Sequence, residues 1–157
     1  MPDRTCPECD EKKSCGGHHV YVIELDKEKV LSMRGSNYFK DNIDKLQEGK
    51  SFFYVGETKH HVMCRFRLHR TKKRTRKENT HFECFCKTGA AKNVPYSPFN
   101  RGNKYVKRAK KRIREDIFFK HNPIRRTSKK EQTDAGKELE AELTRELERQ
   151  GHLAYSK

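Results

Sequence analysis

The sequence predicts a single α+β domain, and three observations carry that expectation. Two short runs, Val20-Tyr-Val-Ile-Glu-Leu25 and Ser51-Phe-Phe-Tyr-Val-Gly56, have the β-branched and aromatic content of strands. Near the C-terminus, Ala135, Leu139, Leu143 and Leu147 recur every four residues, the pattern of one buried helical face. The chain has 157 residues, 32% of them hydrophobic and 38% charged, enough for one modest core with appendages and too few for two full domains.

Taken in order, residues 1–19 read as a Cys- and Gly-rich loop. The first strand spans 20–25, and a polar helical stretch follows at about 40–48. The second strand, 51–56, ends at a glycine. Residues 61–70 read as a helix with Val62 and Phe66 one turn apart on its apolar face. Residues 70–98 are basic, patternless and interrupted by two prolines, the marks of an insertion or long loop. A basic helix is expected at 100–110 and a third strand at 111–118, before His121-Asn-Pro123 breaks the chain. The last helix opens on Ser128-Lys-Lys-Glu131, a capping-box pattern, and Gly151 is placed to end it. The expected organisation is a Cys/His-rich loop at 1–19 and a domain at 20–157, with a basic insertion at about 70–104.

The net charge is +15. Residues 70–130 carry +17, against +1 for residues 1–69 and −3 for 131–157. A surplus concentrated in this way implies a polyanionic partner. Phe82, Phe85, Tyr96, Phe99, Tyr105, Phe118 and Phe119 interleave it, so bases could stack on rings while Lys and Arg meet phosphates. A solvated basic loop is the plainer alternative. No apolar run approaches the ~20 residues of a membrane span, and Met1–Asp10 lacks a secretory leader's apolar stretch. A cytoplasmic protein with no membrane partner is expected.

With these elements placed, the motifs resemble the GIY-YIG nuclease domain, in particular its short stand-alone bacterial members. The first motif stands as His19-Val20-Tyr21 and the second as Tyr54-Val55-Gly56 followed by Thr58. Arg65 and His69 match the family's Arg-x-x-x-His, and Leu139-Glu140 matches its metal-binding Leu-Glu. The stretch from His18 to Asp26 and the ending from His121-Asn-Pro to Gly151-His152 are similar to that bacterial subgroup. The resemblance covers roughly residues 18–69 and 100–157. It departs where His19 replaces the family's first glycine, and where no asparagine follows Glu140; either Gln150 or His152 substitutes for it or that role is absent.

The resemblance implies a small, largely antiparallel three-stranded sheet flanked by helices, and divalent-metal-dependent hydrolysis of DNA phosphodiesters. Glu140 would hold Mg²⁺ or Mn²⁺, hard cations that prefer carboxylate oxygen. Arg65 would bind the phosphate through its guanidinium fork. Tyr21 would act as general base, its phenolate stabilised by a neighbouring cation because an ordinary tyrosine has a pKa near ~10. Tyr54 and His69 would orient water and phosphate. One such site cuts one strand, so clean duplex cleavage implies a homodimer on DNA or sequential nicking. Each residue alone has an ordinary reading: strand tyrosines are core, and Arg-x-x-x-His is a solvated helix face. Two other readings are a zinc-containing nucleic-acid-binding module without cleavage, and a nuclease acting on RNA.

Six cysteines remain. Cys6-Pro-Glu-Cys9 and Cys15-Gly-Gly-His18 are knuckle spacings that could wrap a structural Zn²⁺ as Cys6, Cys9, Cys15 and His18. A rival set draws on Cys84, Cys86 and His81 with Cys6 and Cys9; free thiols or disulfides are the remaining options. Cys64 belongs with Val62 and Phe66 in the core. The expected nucleic-acid contacts are Arg67, Arg70, Lys72, Lys73, Arg74, Arg76 and Lys77, which leave directly after the active-site helix, with Lys104, Lys107 and Arg108.

Overall fold

The computed structural model describes residues 6–7, 17–35, 37–58, 62, 81–84, 92–95 and 104–156. In chain order the elements are β1 (His19–Leu25), α1 (Lys27–Ser32), α2 (Asn37–Asp41), β2 (Phe52–Thr58), β3 (His81–Cys84) and β4 (Lys92–Pro95). They continue with α3 (Lys104–Ala109), β5 (Lys110–Ile113), α4 (Glu115–Phe118), α5 (Lys129–Arg149) and β6 (Leu153–Ser156). Asp26 caps α1, accepting from the Lys29 amide at 3.1 Å. Where one helix was expected at 40–48, α2 and a short 3₁₀ turn at Ile43–Lys45 stand instead. The helix expected at 61–70 lies outside the described residues except for Val62, which is buried in the core.

Strands β1 and β2 form an antiparallel pair in register from His19 opposite Thr58 to Leu25 opposite Phe52. β5 adds antiparallel to β1, and β6 adds parallel to β2, giving the order β5-β1-β2-β6. The domain is therefore α+β with a four-stranded mixed sheet, one strand more than the three expected, and two of its three pairings are antiparallel. The added strand follows from α5: its C-terminal Gly151 takes φ +94°, and the chain turns straight back along β2. Leu153–Ser156 is too short to show a two-residue period in sequence. The expected third strand at 111–118 is shorter, Lys110–Ile113, and Phe118 reaches the core from the helical turn of α4 instead. The stretch expected to be patternless holds the antiparallel pair β3–β4, His81 opposite Pro95 to Cys84 opposite Lys92.

All seven residues of β1 are buried, so the central strand reads as a nearly continuous apolar run with no alternation. On one face Phe39 stacks on Phe52 (centroids 4.6 Å) and meets Tyr105 edge-on (5.1 Å), while Tyr155 lies 6.3 Å from Tyr54. The opposite face takes α5. Ser128 caps this helix, accepting from the Glu131 amide at 3.1 Å, as its sequence predicts. Its buried residues are Gly136, Glu140, Leu143 and Leu147. That is spacing of four, three and four, the true helical period. A strict four-residue stripe drifts by about 40° per step, which leaves Ala135 and Leu139 only half-buried.

β5 pairs β1 only at Ile23, Glu24 and Leu25. Towards the N-terminal end, the Asn122 side chain takes over. Its Oδ1 accepts from the Val20 amide and its Nδ2 donates to the Val20 carbonyl, both at 2.9 Å. Ile124 then bridges His18 with bonds of 2.7 and 2.9 Å. This satisfies buried backbone groups that would otherwise be orphaned. Among the described residues no helix is long and apolar enough to cross a membrane.

Candidate active site

Tyr21 and Tyr54 share one face of the β1–β2 pair, because successive strand residues alternate in direction and Tyr21 lies opposite Gly56, two residues beyond Tyr54. Their rings are 6.2 Å apart and tilted by 44°. The glycine of Tyr54-Val55-Gly56 has a clear steric reason. A methyl group there would overlap the Tyr21 ring at Cζ and Oη, so the phenol lies flat across a residue with no side chain. Both tyrosines are deeply buried, 1% and 3% exposed.

Glu140 stands on the other face. Glu57, opposite Val20 in the register, points to the side that α5 covers. Its carboxylate contacts His18 Nε2. Gly136 brings the helix down onto this point, since a side chain there would overlap the His18 imidazole. One helical turn on, Glu140 is 9% exposed. Its carboxylate makes no hydrogen bond or ion pair among the described residues, while its carbonyl accepts from Thr144 Oγ1 at 2.8 Å. Burial first, and then the charge of Glu57, push its pKa up to about 7, against a smaller opposing effect of Lys137.

The tyrosines and Glu140 therefore occupy opposite faces at neighbouring levels of the ladder. The His19–Thr58 end of the ladder lies beyond the pairings of β5 and β6, so the paired sheet is two strands wide there. The chain leaves β2 from this end, so residues 59–69 begin there. Arg65 and His69 themselves lie outside the described residues, as do Arg67, Arg70, Lys72, Lys73, Arg74, Arg76 and Lys77. Of the other expected nucleic-acid contacts, Lys104 donates to the Gly35 carbonyl at 2.7 Å and lies 5.1 Å from the Tyr105 ring centroid; Arg108 is exposed and Lys107 half-buried.

Gln150 and His152 do not supply the second group expected near Glu140. Gln150 Nε2 donates to Glu146 at 3.3 Å on the helix surface. His152 Nδ1 accepts from the Ser51 amide at 3.0 Å, with its ring 4.8 Å from Phe53. That is the far end of β2 from Glu57, about 20 Å away at the strand rise of ~3.3 Å per residue. Composition gave no sign of Glu57; its signal was only its place after Tyr54-Val55-Gly56 on a strand.

Of the expected zinc ligands, Cys6 is buried and His18 turns Nε2 to Glu57, leaving Nδ1 as its other nitrogen. Cys9, Cys15 and Cys86 lie outside the described residues, as does Cys64. His81 and Cys84 fall at the two ends of β3. Among the described residues no group of three or more His, Cys, Asp or Glu is arranged to hold a metal ion. A cavity of about 590 Å³ lies along α5 between Ile117, His121, Leu139, Leu143 and Leu147, and its lining includes none of Tyr21, Tyr54 or Glu140.

No protein-family model matches the chain, and neither a curated protein nor a solved structure matches it.

Proposed function

We propose that the chain is a GIY-YIG-type endonuclease that hydrolyses DNA phosphodiester bonds with a divalent cation. The observation that carries this reading is the Glu140 carboxylate, nine-tenths buried on α5 with no hydrogen bond or ion pair among the described residues. A buried carboxylate so placed is costly unless it is protonated or meets a positive charge. Strongly perturbed acids gather at functional sites. Its oxygen donors fit Mg²⁺ or Mn²⁺, and Glu140 would hold the ion. When bound, the ion supplies Lewis acidity at the phosphoryl oxygen and stabilises the leaving oxygen.

The remaining roles belong to side chains. A phosphate that meets both Glu140 and the tyrosine face must sit at the two-strand end of the sheet, beside His19 and Thr58. There Tyr21 would take the proton of the attacking water, with Tyr54 beside it orienting that water. Arg65 and His69, in the segment that departs from this end, would bind the phosphate and share the proton. Residues 70–77 would then follow the substrate backbone, a salt-dependent contribution.

A second reading is a nucleic-acid-binding module without cleavage. It is favoured by the depth of Tyr21 and its position on the face opposite Glu140. One experiment separates the two: plasmid, single-stranded DNA and RNA incubated with the full chain in Mg²⁺, Mn²⁺ or EDTA, with Glu140→Ala alongside. Metal-dependent cleavage that falls by about 100-fold or more in the variant is expected, a loss of several kcal/mol of transition-state stabilisation. Retarded but uncut nucleic acid under every condition would establish the binding module, and cleavage of RNA alone would change the substrate.

A further inference from the structure

Two carboxylates converge beneath α5, and only one of them has a partner. Glu57 reaches the cluster from β2 and contacts His18 Nε2. Glu140 reaches it from α5, nine-tenths buried and unpartnered among the described residues. Glycine at 136 is what allows the approach, because any side chain there would overlap the His18 ring. Glu140 follows Gly136 by one helical turn on the same buried side of α5. A cation between the two carboxylates would relieve both charges at once.

Building on the nuclease reading, we infer that Glu57 is a second carboxylate ligand of the cation held at Glu140, and that His18 is the positioning residue that orients Glu57. The donor set defines the ion's class. Both donors are hard oxygens, and Mg²⁺ characteristically takes one or two carboxylates, keeps several waters and completes its shell with substrate phosphate. Ligating carboxylates are usually held by a further hydrogen-bonding group, and His18 fills that place. Glu57 is not among the site residues that the family resemblance implies.

The test uses Mn²⁺ as a paramagnetic probe on the full chain without nucleic acid. Free Mn²⁺ is followed by electron paramagnetic resonance for wild type, Glu57→Gln, Glu140→Gln and His18→Gln, with thermal melts in EDTA as a check on folding. One site is expected, weakened about tenfold or more by either glutamine at 57 or 140 and less by His18→Gln. Glu57→Asp should retain more affinity than Glu57→Gln, a difference that a purely structural role would not produce. A second measurement needs no variant: amide signals of Glu57, Thr58 and Glu140, and the His18 ring protons, should all broaden as Mn²⁺ is added. Broadening around Glu140 that spares Glu57 and His18, with Glu57→Gln binding as wild type, overturns this inference and leaves the nuclease reading intact. Wild type that binds no Mn²⁺, or binds it equally well in Glu140→Gln, overturns both.

Discussion

Glu24 and Glu140 are both buried glutamates on the same side of the sheet, and they are held in opposite ways. Glu24, near the C-terminal end of β1, receives Arg114 Nη1 at 2.6 Å, Arg112 Nη2 at 3.3 Å and Lys111 Nζ at 3.3 Å. Arg114 is itself shared with Asp116 at 2.9 Å, and its guanidinium lies 5.4 Å from the Phe53 ring. Burial works against the Glu24 charge, yet the surrounding cations hold its pKa below the ordinary carboxylate value. Glu140 at the other end has burial and a second carboxylate, and is pushed up to about 7. Burial does not distinguish a structural carboxylate from a functional one; compensation does. Glu24 joins β5 to β1, while Glu140 is left with an uncompensated charge of the kind a ligand can satisfy.

The contrast can be broken most sharply at Glu24. Glu24→Ala strips the shared partner from Arg114 and should cost about 3 kcal/mol in urea denaturation. A loss below about 1 kcal/mol would show that the three cations are solvated alternatives and hold no structural role.

The opposite sign is expected at Glu140. Its folded pKa lies above the unfolded value of 4.5, so the folded state holds the extra proton between about pH 4.5 and 7 and loses stability as pH rises through that window. Glu140→Gln removes that loss. In EDTA it should be more stable than wild type by about 3 kcal/mol at pH 8, an order-of-magnitude figure from the shift, and no more stable below about pH 4.5. Glu24, with its pKa lowered, contributes stability above the unfolded value, which is lost as pH falls through its folded pKa. Denaturation curves of the two variants from pH 4 to 8 should therefore depart from wild type in opposite directions at the high-pH end, Glu140→Gln above it and Glu24→Ala below it, and curves that stay parallel to wild type would remove the distinction.

Asn122→Ala leaves the buried Val20 amide and carbonyl without their partners, and should cost about 2 kcal/mol. Hydrogen exchange at the Val20 amide would report the opening directly. An unchanged exchange rate would show that another group holds this edge. The smallest effect is expected of Ser128→Ala, about 1 kcal/mol from the lost cap. It should leave the pH dependence due to Glu140 untouched, since the cap lies three turns from that carboxylate; a changed profile would mean that the helix start sets Glu140's position.

Much of the frame was legible because it is local. The strands around Tyr21 and Tyr54 follow from β-branched and aromatic runs, and α5 from its cap, its period and Gly151. Tyr54-Val55-Gly56 was readable as a motif, but the reason for its glycine, the Tyr21 ring lying across it, needed the register of β1 on β2. β6 was not legible, since four residues following a turn carry no period. Glu140 was readable as a candidate at the margin of a four-residue stripe, although the four-three-four spacing of Gly136, Glu140, Leu143 and Leu147 already places it on the buried side.

By itself the sequence determined the central strand pair, the long helix with its two ends, and the concentration of positive charge in residues 70–130. Each of these rests on composition or on neighbours within a few positions along the chain. Only the tertiary structure decided which buried glutamate is neutralised and which is not. The cations around Glu24 arrive on β5 and on Arg114 just after it, and the Glu57 that opposes Glu140 arrives on β2. A carboxylate's ionisation depends on charges within a few ångströms in space, wherever those charges lie in the chain.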